Sequence, residues 1–129
     1  MPGCVLRASG EQFQPEKFLS ESTFVPCNVF RKGERKSESR LWETSGLTVV
    51  VSERSDNFPQ QASDAIEFLK SNRTELLRLK ESHGIENMSL DFGVIRQNGF
   101  VQSHLFPSDL VKMSGEFGMA LEVSIYGED

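Results

Sequence analysis

Cysteine is scarce in this sequence: Cys4 and Cys27 are the whole complement. Small secreted folds held by bridges need more than that, so reduced thiols and a cytoplasmic setting are expected. Long apolar runs are missing as well. The opening residues, MPGCVLRASGEQF, hold no stretch long enough for a signal peptide. No segment approaches the roughly 20 apolar residues of a membrane span. The two histidines, His83 and His104, form no H-E-x-x-H pattern, and no cysteine pair has zinc-like spacing. Gly33 in RKGE stands alone, without the glycines of a phosphate cradle. No metal, cofactor or catalytic residue is therefore expected. The chain also lacks repeats and low-complexity tracts.

What remains is ordinary globular composition, with 37% hydrophobic and 26% charged residues. The 129 residues fit one domain spanning 1–129. Ten Phe supply much of the candidate core. The formal net charge of −5 disfavours nonspecific contact with nucleic acid or anionic membrane.

The hydrophobic pattern switches repeatedly between periods of two and about 3.6. Residues 4–9, CVLRAS, read as a strand with Leu6 and Ala8 inward and Val5, Arg7 and Ser9 outward. Pro15 in QPEKFL starts a short helix. Residues 27–30 form a brief strand, and RKGERKSESR a turn or loop that Trp42 anchors. LTVVVS is a strand with Leu47, Val49 and Val51 on one face. Pro59 opens a helical segment with Ala62, Ala65, Ile66 and Leu69 on one stripe. Asn72 and Glu75 read as a capping box ahead of Leu76, Leu77 and Leu79, and Gly84 as a stop. Those leucines serve either the domain's own core or a ridge for a partner.

Met88, Leu90, Phe92 and Val94 alternate along another strand, and RQNG is a turn signal. Ser108 reads as the N-cap of a late helix that Gly118 ends. Met119, Leu121, Val123 and Ile125 alternate along the last strand. The expected fold is α+β: a ferredoxin-like βαββαβ order plus an appended helix and strand. Its antiparallel or mixed sheet has helices on one face and leaves the other open.

Several segments, in this order, resemble a bacterial family catalogued as a domain of unknown function, family 4279. They are ASGE before a proline-started helix, VFRKGE, LWETSG leading into a strand, HLFPSDLVKM, and the terminal LEVSIYGED. Phe30, Arg31, Lys32, Gly33, Glu34 and Trp42 carry the resemblance, with Gly10, Pro15, Leu110 and Tyr126 as weaker matches. Ala8 and Ser9 depart from the family's more aromatic or aliphatic opening strand. The resemblance implies a small α+β domain without an established activity or known catalytic residues. It also implies a loose association with toxin-immunity and accessory proteins.

Two surfaces are candidates for contact. Arg31, Lys32, Arg35, Lys36 and Arg40 concentrate five of the fourteen Lys and Arg residues in an acidic chain. They suit an acidic partner or a phosphate. Glu34, Glu38 and Glu43 dilute that field, and a solvated loop is the plain alternative. On the open sheet face, Arg7, Asp91 and Glu122 form the second candidate. These three suit a cation-bearing ligand or acid–base chemistry, or pair across the sheet for about 0.2–1 kcal/mol. The expected function is noncovalent binding of another protein, as by an immunity-type inhibitor, through a surface joining the basic stretch to the open face. A small-ligand protein or enzyme using that face is the second class. A structural homodimer is the third, and it requires an exposed apolar patch or an unprotected strand edge.

Overall fold

Strand β1 (Cys4–Gly10) divides the molecule into two sides. Cys4, Leu6 and Ala8 are fully buried, whereas Val5 and Ser9 are half-buried and Arg7 is exposed. This is the inward–outward alternation expected of it. A computed structural model describes residues 3–54 and 57–127. After β1 come α1 (Pro15–Leu19), β2 (Asn28–Phe30), β3 (Arg35–Ser37), β4 (Arg40–Leu41) and β5 (Ser45–Ser52). Then follow α2 (Phe58–Ser71), α3 (Arg73–Lys80), β6 (Asn87–Ile95), α4 (Ser108–Glu116) and β7 (Ala120–Tyr126). None of the helices is long and apolar enough to cross a membrane among the described residues.

The main sheet runs β2-β5-β1-β6-β7. β1 lies antiparallel between β5 and β6, and β2 lies antiparallel outside β5. β7 joins β6 in parallel after the crossover helix α4. The expected α+β class and ferredoxin-like order are both present, with α4 and β7 as the additions. Strands β3 and β4 form a separate two-stranded ribbon, where a turn or loop was expected. Its residues are all exposed, so no apolar alternation marks it in the sequence.

One sheet face and four helices enclose the core. Leu47 and Val49 from β5 and Met88, Leu90, Phe92 and Val94 from β6 meet Phe18, Leu69, Leu76 and Leu110 there. The rings of Phe58, Phe92 and Phe106 pack pairwise with centroids 5.3–5.5 Å apart, closing the core where the 96–107 loop crosses it. The alternating row thins along β7. Leu121 packs against the core, but Val123 and Ile125 are 36% and 56% exposed.

Helix boundaries differ in detail from their sequence signals. Pro59 sits in the first turn of α2, and the Asn57 side chain caps that helix by accepting from the Gln60 N–H at 3.1 Å. Asn72 forms no capping box. It is the joint between α2 and α3, and its side-chain amide donates to the Phe68 carbonyl at 3.0 Å, closing α2 instead. Ser108 is the first residue of α4 rather than its cap, because extended Pro107 (φ −58°, ψ 147°) already forms the boundary. α3 ends at Lys80, ahead of Gly84. Gly84 instead has φ +86° in a turn so close to β1 that a Cβ on Gly10 would lie 1.7 Å from its carbonyl oxygen.

Glu75 is freed from capping and becomes a clamp. It accepts from Arg78 Nε at 2.7 Å and from the Thr23 N–H at 3.0 Å. Arg78 also donates to the Phe18 carbonyl at 3.0 Å and lies over the Phe18 ring. Together they tie α3 to α1 and to the segment leading to β2. The Arg78 guanidinium holds the Glu75 carboxyl well below its ordinary 4.5, at about 2, against the opposing effect of burial. A lowered carboxyl pKa stabilises the fold fully above the ordinary value and loses that contribution as pH falls through about 2. Glu75→Gln should cost about 1.5–3 kcal/mol at neutral pH. In urea unfolding series, the variant should lose less stability than wild type between pH 5 and pH 2. Parallel acid profiles for the two proteins would contradict the clamp.

Candidate binding groove on the open sheet face

The strand register sets side chains of β1, β5, β6 and β7 side by side on the face away from the helices. Arg7 pairs with Thr48 on one side and Ser89 on the other, and Asp91 stands level with Glu122. The three residues expected on this face are thus brought together. Arg7 Nη1 donates to Asp91 Oδ2 at 2.6 Å and lies 3.7 Å from Glu122 Oε1. The Ser124 hydroxyl donates to both Asp91 oxygens, at 2.8 and 3.0 Å. Asp91 is almost fully buried, whereas Glu122 is exposed. A carboxylate removed from water needs such donors. Having them, Asp91 is committed to holding β1, β6 and β7 together. Ser124 supplies the second donor from β7, where the alternation of that strand turns it to the same face as Glu122.

The basic stretch divides into two parts. Arg31 forms ion pairs with Glu16 and Glu34, the latter at 3.5 Å. Lys32 lies 3.5 Å from Glu11, and its N–H donates to the Ser45 hydroxyl at 2.9 Å. Both residues are therefore tied back toward α1 and the turn after β1. Arg35, Lys36 and Arg40 lie on the β3–β4 ribbon, exposed and without ion pairs among the described residues.

An aromatic stack folds the ribbon onto the sheet. Phe30 pairs with Gly46 across β2 and β5, and so projects onto the open face rather than into the core. The Trp42 ring lies over Phe30 with centroids 4.0 Å apart and an interplanar angle of 19°, leaving Phe30 only 7% exposed. Lys36 Nζ lies 4.8 Å from the Trp42 ring centre. Gly46 makes room for this: a Cβ there would come 2.5 Å from Phe30 Cζ and 2.4 Å from the Ala8 carbonyl oxygen. The anchoring role expected of Trp42 is met, though against the open face. A glycine inside a strand, as Gly46 is in β5, is a local mark of such a close approach.

Ribbon and sheet enclose a cavity of about 490 Å³. Val5, Arg7, Asn28 and Thr48 form its sheet side, and Lys36 and Trp42 its ribbon side, around Phe30. Among the described residues no acidic side chain lines it. Lys36 alone of the basic stretch reaches this cavity, and it does so opposite Arg7. Val5 faces outward with Arg7 as the alternation of β1 predicts, whereas nothing local in the sequence marks Asn28 and Thr48.

The other reactive groups lie elsewhere. Cys4 is buried at the helical face, and burial pushes its thiol pKa up, helped by the nearby Asp91 and Asp64 carboxylates. It is a weak nucleophile. Cys27 is exposed just ahead of β2, with its sulfur 3.4 Å from the Thr48 carbonyl oxygen. His83 lines a smaller cavity of about 240 Å³ beside Lys17 and Arg78, where Arg78 is already held by Glu75. His104 packs against Phe58 and contacts the Gln102 amide. Among the described residues no cluster of three or more His, Cys, Asp or Glu side chains is placed to hold a metal.

Trp42→Ala should cost about 2 kcal/mol, combining a lost aromatic pair with partial loss of apolar cover. Hydrogen exchange should localise the effect. The Trp42 and Gly33 N–H groups, which close the ribbon onto Glu34 and Trp42 carbonyls, should lose protection while β1 and β6 keep theirs. Unchanged ribbon protection would contradict the stack as its anchor. The chain matches no family model, no curated protein and no solved structure, so the resemblance to family 4279 rests on its quoted segments alone.

Proposed function

We propose that this protein is a noncovalent binding module that takes an acidic segment of another protein between the β3–β4 ribbon and the open sheet face. One observation carries this reading: beside two stacked aromatic rings the cavity presents Lys36, which has no ion pair among the described residues, together with Arg7, which Asp91 and Glu122 hold from outside the lining. Aromatic and arginine side chains at the centre of a contact surface carry disproportionate binding energy. Arg35 and Arg40 extend the positive field along the exposed ribbon. The negative remainder of the molecule orients the encounter. Binding of this type suits an inhibitor that covers a partner's working surface, as an immunity protein does.

A small-ligand site is the second reading. The cavity volume of about 490 Å³ favours it, since pockets for small molecules span roughly 300–1,000 Å³. The Arg7 cluster lends less to an enzymatic version. Asp91 already accepts from Arg7 and Ser124, so it is not aimed at a substrate proton.

A photo-crosslinking residue placed at position 36, with position 70 on the exposed side of α2 as control, tests the proposal in the native cell. Position 36 should capture a protein that position 70 does not. Titration of the purified pair should show salt-sensitive binding, weakened about tenfold or more by Lys36→Glu and unaffected by Lys70→Glu. Equal capture at both positions, or equal affinity for Lys36→Glu and wild type, would overturn it. Native mass spectrometry showing a retained small molecule would favour the second reading.

A further inference from the structure

The main sheet has an unguarded edge. Among the described residues nothing pairs with the outer side of β7, which runs in unbroken register along β6. Natural edges are blunted by Pro, Lys, bulges or inward charges. The β7 sequence, ALEVSIY, has none of these, and its single charge, Glu122, points to the open face beside Arg7. On the helical face, Val123 and Ile125 are 36% and 56% exposed although their row is the core-facing one.

The free backbone groups can be assigned. The Tyr126 carbonyl accepts from the Arg96 N–H at 2.8 Å, so the even-numbered residues of β7 turn their main-chain groups toward β6. Leu121, Val123 and Ile125 therefore turn theirs outward. We propose that β7 of one copy pairs antiparallel with β7 of a second copy about a twofold axis at Val123, joining two sheets into one.

This register satisfies every constraint on the strand together. It overlaps all of Ala120–Tyr126 and sets Val123 against Val123 and Leu121 against Ile125. These are hydrogen-bonded pairs that use the outward N–H and C=O groups of all three residues. Apolar side chains then meet apolar side chains on the helical face. Glu122 falls opposite Ser124, so the two copies' Glu122 carboxylates are not opposed. A register shifted by one residue in each strand, with Glu122 as the twofold centre, would place like charges directly opposite, which destabilises a pair. A twofold arrangement of this kind closes on itself. It also leaves the groove accessible in both copies, since the ribbon lies beside β2 and β5 at the other end of the sheet.

Sedimentation velocity and a cysteine pair test this. Wild type should sediment as a dimer. Ile125→Lys, which puts an inward charge on the edge, should be a monomer, and Val50→Lys on the open face should remain a dimer. The register is read separately in a Cys27→Ser background. Glu122→Cys protein mixed with Ser124→Cys protein should form an intermolecular disulfide under mild oxidation, because these positions face each other as a closely spaced, non-hydrogen-bonded pair. Either variant alone should form far less. A wild-type monomer at about 1 mM, where even a weak complex of about −4 kcal/mol would be half formed, would overturn the proposal. So would a dimer that survives Ile125→Lys, or cross-linking of Glu122→Cys alone that equals the mixture. The cross-linking result stands even if Ile125→Lys fails to fold.

Discussion

The pairing of β1 between β5 and β6 is the constraint on which the rest of the structure depends. Side chains alternate with a period of two, so a slip of one residue would carry Arg7 into the phenylalanine-rich core and Leu6 into water. The same register that buries Cys4, Leu6 and Ala8 delivers Arg7 to Asp91 on the reverse face. Asp91 then depends on Arg7 and Ser124, since a buried carboxylate without donors is costly. The core and the polar cluster thus enforce one arrangement from opposite sides of the sheet. Three strands are locked together where a solvent-facing surface alone would leave them loosely specified.

At the other end of the sheet, the open face acquires its shape from Phe30. Its place on β2 leaves a large ring outside the core, and exposed aromatic area is unfavourable. Trp42 covers that ring, and in doing so bends the charged ribbon over the strands. A groove results as a by-product of covering one side chain. Its lining inherits Lys36 from the ribbon and Arg7 from the sheet, whereas Arg31 and Lys32 are drawn off to Glu16 and Glu11. A ten-residue basic stretch that looks uniform in one dimension therefore divides into a half tied back by acids and a half free on the ribbon.

Most of the fold was legible because its signals are local. Alternation in residues 88–94 and the helical stripe of Ala62, Ala65 and Leu69 report burial directly, and the element order followed from them. Helix ends were less legible. Asn72 has the chemistry of an N-cap but serves two helices, and its side chain turned to the one before it. The ribbon was invisible for a different reason: its strands bury nothing, so periodicity had nothing to record. Parity in the sequence is enough to put Arg7, Asp91, Glu122 and Ser124 on the open face, and Val5 with them. That Ser124 reaches Asp91, and that Val5, Asn28 and Thr48 line one cavity, depends on which strands are neighbours, and one sequence does not state strand order. Val123 and Ile125 look like core residues by pattern and become surface only because their strand is last in the sheet.

The central claim is that the charged ribbon lies on the open sheet face, held by Trp42 over Phe30. Nuclear Overhauser contacts measured on the isotopically labelled protein test it most directly. The account predicts cross-peaks between the Trp42 indole and the Phe30 ring, together with upfield-shifted Lys36 methylene protons above that indole. Random-coil shifts across residues 35–41, with an indole that contacts only solvent, would contradict it.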